Sequence, residues 1–572
     1  MLAGALSLFV GVFAGCDVTT QEDVQLDIRL YTPAGQESLL EPGSSRVAEI
    51  EVVAVQADAP NSSQRVEIFR LDDGSGGLNQ LPIGPSHQLF IRGFSADDSL
   101  LFYGASRPFD VEPGSSPRKA VVVGPTSCVV ANTGAPEGYT SAGGNQDMGP
   151  VRVGHTATPL PDGRVLIMGG ARMESGLISE IYDTMEIYDP DEGLFQTLDI
   201  RMQSARAWHT ATVMEDGRIL VVGGLANIDG RQTPVKTIAL VDLADEDQPV
   251  RLVEGLFPEG EQRYRHTATR LDDGSGSVLI SGGYGATRSP LASTWRYFPS
   301  QTADPTEGTF RRQGDMCQAR VEHSTSTLFF QGGRAQAVAA GGLITQGDQG
   351  LVPTDSIELF TSNPNQTTGC CGGDGVVPNE TQGCWVSPAG VNLERPRFAH
   401  QAVNVDDSRQ VLFVGGHQNA DRSDGITELE MMDANLTLYG AGSVGVLGNA
   451  EAGVGDVTAS VLPDETVLVV GGRRGGAVTS AAYQLVPLRD PEGAVRPQVN
   501  PNDPPIARYG SAPLGAGCTG EPRYEHEAVT MSTGNVLIVG GITQGGGAEV
   551  TTRRAEVFFP LVSDLPAYYP NP

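Results

Sequence analysis

One pattern returns seven times along the 572 residues, and this periodicity limits the fold more than any single residue does. Its first copy, RVGHTATPLPDGRVLIMGG, spans 152–170; the others lie at 206–224, 263–283, 320–342, 397–416, 453–472 and 523–541. Six of the seven run from an Arg through two residues to a His, and all continue with a short strand-like stretch, a turn rich in Asp, Gly, Ser and Asn, and an apolar β-branched run that ends in Gly-Gly. That order predicts a hairpin. A variable loop follows every Gly-Gly, then a third strand at 185–190, 237–243, 293–299, 356–360, 428–433, 481–487 and 554–560. A more variable fourth strand precedes the next Arg.

Four strands repeated seven times predict a β-propeller. With 73 Gly and 38 Pro spread along the chain, many turns between short strands are expected rather than long helices. The combination of Arg, two residues, His, hairpin, Gly-Gly and an apolar strand, closed by Tyr-Asp-Pro in the first copy, resembles the kelch repeat. Successive Gly-Gly pairs stand 54, 59, 59, 74, 56 and 69 residues apart, longer than the roughly 50 of a kelch unit, so the loops carry insertions. Phe195 and Phe310 stand where many kelch units place Trp. The resemblance implies an all-β chain with a seven-bladed kelch-like β-propeller over 151–560. The last twelve residues, 561–572, form a Pro-containing tail too short for a final strand. A strand from the 127–150 connector, near SCVVANTG (127–134), is therefore expected to close the ring.

Upstream, apolar β-branched runs bounded by turns fill residues 24–126 and predict an antiparallel immunoglobulin-like or transthyretin-like β-sandwich serving as a spacer. Residues 1–15, MLAGALSLFVGVFAG, are uncharged and too short to span a bilayer comfortably, and read as a signal segment. Phe13–Cys16 resembles the lipobox of bacterial lipoproteins, which implies lipidation of Cys16 and a short linker over 16–23. The resemblance places the chain in the bacterial cell envelope, lipid-anchored and facing the periplasm or cell exterior. Export makes Cys128, Cys317, Cys370, Cys371, Cys384 and Cys518 disulfide candidates. Among their 15 connectivities, a staple within the 370–384 loop and a Cys128–Cys518 link at the ring closure are the pairings favoured.

The formal charge of -31, from 38 Lys plus Arg against 69 Asp plus Glu, makes nucleic acid an unlikely partner. No Gly-Lys-Ser/Thr loop, His-Glu-x-x-His or Gly-x-Ser-x-Gly occurs, so neither cofactor nor metal is expected. His155, His209, His266, His323, His400 and His526 occupy one repeat position and read as structural, each joining neighbouring strands through both ring nitrogens, with Asp456 in their place in the sixth copy. The Gly-Gly pairs read likewise. Arg152, Arg206, Arg263, Arg320, Arg397 and Arg523, with Gly453 in the sixth copy, are the ligand-binding candidates, expected to gather positive potential near one mouth of the channel. Some kelch adaptors bind acidic peptides through arginines at similar positions. The reading is a protein or glycan binder, its ligand anionic, with no catalysis. The alternatives are a structural envelope scaffold and a carbohydrate-active or galactose-oxidase-like enzyme; the copper centre of the latter uses two tyrosines, two histidines and a Tyr-Cys cross-link.

Overall fold

The computed structural model describes residues 27–32, 47–56, 84–112, 118–132, 145–228, 230–253, 257–300, 308–329, 335–362, 371, 382–405, 410–433, 454–464, 466–487, 520–545 and 547–560, and the backbone of strands at 5–9, 65–70, 438–443 and 509–513. The regular elements among the described residues are strands, apart from one 3-10 turn at Gly347–Gln349. Each repeat forms one four-stranded antiparallel sheet, in the order hairpin, third strand, fourth strand. The first sheet is Thr156–Pro159, Val165–Met168, Thr184–Asp189 and Leu194–Arg201. The innermost strand of every sheet touches that of the next, and the innermost strand of the seventh sheet touches that of the first. The fold is a propeller.

The second strands show why the sequence runs apolar without alternation. In VLIM (165–168), ILVV (219–222) and VLIV (536–539) every residue is buried, because each sheet is covered by a neighbour on both faces. The period of two survives in which neighbour is met. Val165 and Ile167 pack against Leu537 and Val539 of the seventh sheet, whereas Leu166 and Met168 pack against Ile219 and Val221 of the second.

The seventh sheet takes its outer strand from the N-terminal side. Cys128–Ala131 pairs antiparallel with Ala555–Phe559, setting Cys128 opposite Phe559. Seven backbone hydrogen bonds also join each sheet to the next, from the amide of the second Gly of every Gly-Gly to the carbonyl three residues before the next His position. They begin with Gly170 to Arg206 (2.9 Å) and return with Gly541 to Arg152 (2.8 Å). A Cβ on Gly169 would lie 2.4 Å from the Arg206 carbonyl oxygen, and the residue sits at φ 61°, so close approach and left-handed backbone both call for Gly there.

The N-terminal unit is a sandwich whose sheets share one core, with Ile28, Leu30 and Val121 on one side and Ile50, Val52, Leu89, Ile91 and Phe102 on the other. It departs from the antiparallel expectation at one pair. Asp27–Tyr31 and Arg118–Val122 run parallel, which two strands so far apart in sequence are free to do because no hairpin joins them. The backbone of Ala5–Phe9, within the segment read as a signal, pairs with Asp27–Tyr31. The sandwich docks on the first and seventh blades: Gln88 Nε2 donates to the Ser532 carbonyl (2.7 Å), Tyr103 hydroxyl to the Thr533 carbonyl (3.0 Å), and Arg107 pairs with Asp189 (2.9 Å).

Cys317 is bonded to Cys371, tying the turn before the fourth blade to the loop inside it. Cys371 thus staples the 370–384 loop outward, while the expected staple within that loop involves Cys370, which lies outside the described residues. Cys128 and Cys384 are also disulfide-bonded. Cys16, Cys370 and Cys518 lie outside the described residues, and with them the expected Cys128–Cys518 pairing.

Candidate functional site at the channel mouth

The six repeated arginines are not at the mouth. Arg152, Arg206, Arg263, Arg320, Arg397 and Arg523 are each 0–1 % exposed and lie within the blades, so the ligand role expected of them is corrected. Each donates from Nη1 to the carbonyl of the first Gly of its own Gly-Gly, as Arg320 does to Gly341 at 2.8 Å and Arg523 to Gly540 at 3.1 Å. Four also meet a buried carboxylate on the third strand: Arg152 with Glu186 (2.5 Å), Arg523 with Glu556 (2.9 Å), Arg320 with Glu358 and Arg397 with Glu430. Arg206 and Arg263 rely chiefly on hydroxyls, Thr237 (2.9 Å) and Ser293 (2.6 Å) respectively. Burial with so little opposing charge pulls Arg206 down to about 10 and Arg263 to about 9. These arginines are the blades' internal braces, a use of the fork geometry that needs no ligand.

The histidines brace the blades in another direction. Nε2 of His209, His266, His323, His400 and His526 meets a hydroxyl of the preceding blade: Thr156 (3.2 Å), Thr210 (3.0 Å), Thr267 (3.2 Å), Ser324 (2.7 Å) and Thr458 (2.8 Å). Their Nδ1 atoms have no partner among the described residues, so one ring nitrogen is used where two were expected. Burial first, then the neighbouring arginine, holds all five well below the usual imidazole range, so they are neutral.

The sixth copy needs realignment. Gly416 donates to the Val454 carbonyl, the bond that elsewhere goes to the repeated Arg, and a Cβ on Gly472 would meet Val457 as one on Gly170 would meet His155. Val454 and Val457 therefore stand for Arg and His. Asp456 occupies the position before the His, not the His position read from sequence.

That preceding position is the one sequence reasoning passed over. Its seven occupants, Gly154, Trp208, Arg265, Glu322, Ala399, Asp456 and Glu525, all have φ between 49° and 61°. Left-handed backbone costs a non-Gly residue roughly 1–2 kcal/mol, and six of the seven accept it. Their backbones link blade to blade, as in Trp208 to the Gly154 carbonyl (2.6 Å) and Asp456 to that of Ala399 (3.1 Å). Their side chains ring the channel. The signal in the sequence was variability: five chemical types at a fixed place inside an otherwise constant motif.

These residues form a charge lattice across the channel. Arg265 pairs with Glu525 (2.6 Å) and lies over the Trp208 ring (5.1 Å), whose indole N–H donates to Glu525 (3.0 Å). Arg422 pairs with Glu322 (2.5 Å) and Asp456, and His417 meets Asp456 (3.1 Å). Arg473 pairs with Glu549 (3.0 Å) and covers the Tyr524 ring (3.8 Å). Burial would raise Asp456, but the His417 hydrogen bond and Arg422 charge outweigh it and hold the carboxyl at about 2. Burial is likewise outweighed at Glu525, lowered by Arg265 and Trp208.

Trp208, Arg265 and Glu525 stand between two cavities. The outer one, about 350 Å³, is walled by Tyr264, Tyr524, Met173, Leu177 and Ile178 together with Arg288, Arg422 and Arg473. Hairpins after the Gly-Gly pairs build its rim: Ala171–Glu174 and Leu177–Ile181 of the first blade join Ile542–Gly545 and Ala548–Thr551 of the seventh in one sheet, and Leu225–Ile228 with Arg231–Pro234 forms the hairpin of the GLANIDGRQTPVK loop. Leu177 at the rim is 73 % exposed. The inner cavity, about 320 Å³, is lined by the six histidines, Gln401, Glu322, Asp456 and Glu527.

No protein-family model matches the chain. A stretch of 147 residues is 31% identical to the flagellar outer-arm dynein alpha chain of Chlamydomonas reinhardtii, spanning 25% of this chain and 3% of the dynein. Solved structures that are similar include two. One is a novel fungal alcohol oxidase with catalytic diversity among the AA5 family, in complex with copper, at 16% identity and TM-score 0.47, covering 72% of this chain and 74% of that one. The other is YjhT, at 10% identity and TM-score 0.37, covering 73% and 98%. The donor set of a two-tyrosine, two-histidine copper centre is not assembled among the described residues: Tyr264 and Tyr284 stack on each other (5.3 Å), His417 is fixed between Asp456 and the Asp424 carbonyl, and Cys317 and Cys371 are joined to each other. No group of three or more His, Cys, Asp or Glu there is arranged to hold a metal ion.

Proposed function

We propose that the chain is an exported, lipid-anchored envelope protein that binds a glycan at the outer mouth of its propeller channel, without catalysis. The observation that carries this reading is the aromatic and ion-paired surface made by Trp208, Arg265, Glu525, Arg473 and Tyr524. Sugar hydroxyls donate and accept at once, and a lattice of paired Arg and carboxylate offers both functions side by side. The apolar face of a pyranose suits an indole or phenol ring. Because three of the four arginines at the mouth, Arg265, Arg422 and Arg473, are already matched by carboxylates, with Arg288 alone unmatched among the described residues, a neutral glycan fits better than the acidic ligand expected from the sequence.

The test is calorimetric titration of the full chain with a panel of neutral and uronic-acid oligosaccharides. At least one neutral oligosaccharide should bind, with at least a roughly tenfold loss in Trp208→Ala and little change in melting temperature. Failure of the whole neutral panel, or full binding by Trp208→Ala, would overturn the reading. The anchor is tested separately: Cys16→Ala should move the protein out of the detergent-rich phase on partitioning.

A further inference from the structure

The hydrogen-bond ladder between histidines and hydroxyls breaks at two junctions, and the breaks differ. Between the fifth and sixth blades both partners are replaced, with Gln401 in the hydroxyl position and Val457 in the His position. Between the seventh and first only the hydroxyl is replaced. Glu527 stands opposite Val539 as Thr156 stands opposite Met168, while the His facing it is retained. His155 is 2 % exposed, lines the inner cavity, and has a partner for neither ring nitrogen among the described residues. Neither Glu527 nor Gln401 has a side-chain hydrogen bond or ion pair among the described residues. Three polar groups are thus left open toward one cavity, in a ring where the equivalent groups are bonded.

Of the carboxylates that line this cavity, Glu525 is paired with Arg265, and Glu322 and Asp456 with Arg422, while the histidines are neutral, so Glu527 is the one left without a counter-ion among the described residues. A neutral ligand leaves the Glu527 carboxylate without a counter-ion. Burial alone lifts Glu527 to about 8, which marks a carboxylate lacking a counter-ion. A primary ammonium supplies that charge together with three hydrogen-bond donors for separate acceptors.

We propose that the inner cavity binds a small ligand bearing a primary ammonium group, with the Glu527 carboxylate as its counter-ion and His155 and the Gln401 side-chain carbonyl as further acceptors. At about 320 Å³ the space admits a ligand of monosaccharide size or less. The proposal rests on the inner cavity alone, so failure of the oligosaccharide panel at the outer mouth leaves it standing.

The full chain is titrated with ethanolamine and with glucosamine, against ethylene glycol and glucose as neutral counterparts and calcium chloride as a metal control. Saturable binding of the amines but not the neutral counterparts is expected, with a proton released at pH 7 as Glu527 ionises. Glu527→Thr restores the residue type that other blades use and gives His155 a hydroxyl partner. It should therefore keep or raise the melting temperature while weakening amine binding by at least roughly tenfold. Glu527→Gln should weaken it similarly. The proposal is overturned if the amines do not bind, if glucose or ethylene glycol binds as tightly, if calcium binds in their place, if no proton is released, or if Glu527→Thr retains the amine affinity.

Discussion

Arg263 and Arg265 stand two residues apart on one blade. The first is wholly buried and bonded to its own sheet through Gly282 and Ser293; the second crosses the channel to Glu525, which the seventh blade supplies. The same contrast runs around the ring. The position that repeats its residue type holds the blade together, and the position that changes type faces the space where a ligand can sit. In a repeat protein every unit must solve the same folding problem, so identity marks the frame, and variation at fixed geometry marks what the units do differently.

The contrast can be broken hardest at the frame. Arg320→Ala strands the buried Glu358 carboxylate and should cost about 3–5 kcal/mol in denaturant unfolding, whereas exchanging both residues for apolar ones of similar volume should recover most of that loss. A small loss in the single variant would mean that the brace is weak. Next, His400→Val removes the partner of the Ser324 hydroxyl and should cost about 1–2 kcal/mol. His155→Val, by the same measurement, should cost less, because neither ring nitrogen of His155 is bonded and the sixth blade already carries Val457. Equal costs would deny the difference between the two junctions. The smallest effect is a slope. The Glu527 carboxyl is raised from 4.5 to about 8 by burial, so the folded chain holds a proton there that the unfolded chain releases. Stability should fall as pH rises between these values, and Glu527→Thr should flatten that part of the melting-temperature profile; an unchanged slope would place the carboxyl in solvent.

The fold was legible because periodicity and strand patterning are local. Hairpins, third strands and the Gly-Gly junctions can all be read from residues such as those of VLIMGG, and the apolar SCVVANTG (127–134) already reads as the strand that pairs with Ala555–Phe559. The site was less legible. Whether Arg152 points along its sheet or into the channel depends on Glu186, which lies on another strand, and no spacing rule reports that pairing. The sixth copy slipped by one residue because Gly453 and Asp456 share the spacing of the motif, while the bond from Gly416 to Val454 exists only once blades are neighbours. The disulfide from Cys317 to Cys371 escaped for the same reason, since it links two loops brought together by the ring.

The antiparallel pairing of Cys128–Ala131 with Ala555–Phe559 has a consequence for how the ring comes into being. Its two strands lie at opposite ends of the propeller sequence, so the contact with the largest closure entropy is also the one that covers the open outer edge of Ala555–Phe559. A chain made from its N-terminus must carry an unmatched strand through the synthesis of every other blade before its mate arrives. The finished circle is then held at that seam by strand pairing rather than by the main chain. A protease cut in a loop of any one blade would open a second seam of the same kind, and the nicked halves would have no free path apart until one of the two unzips.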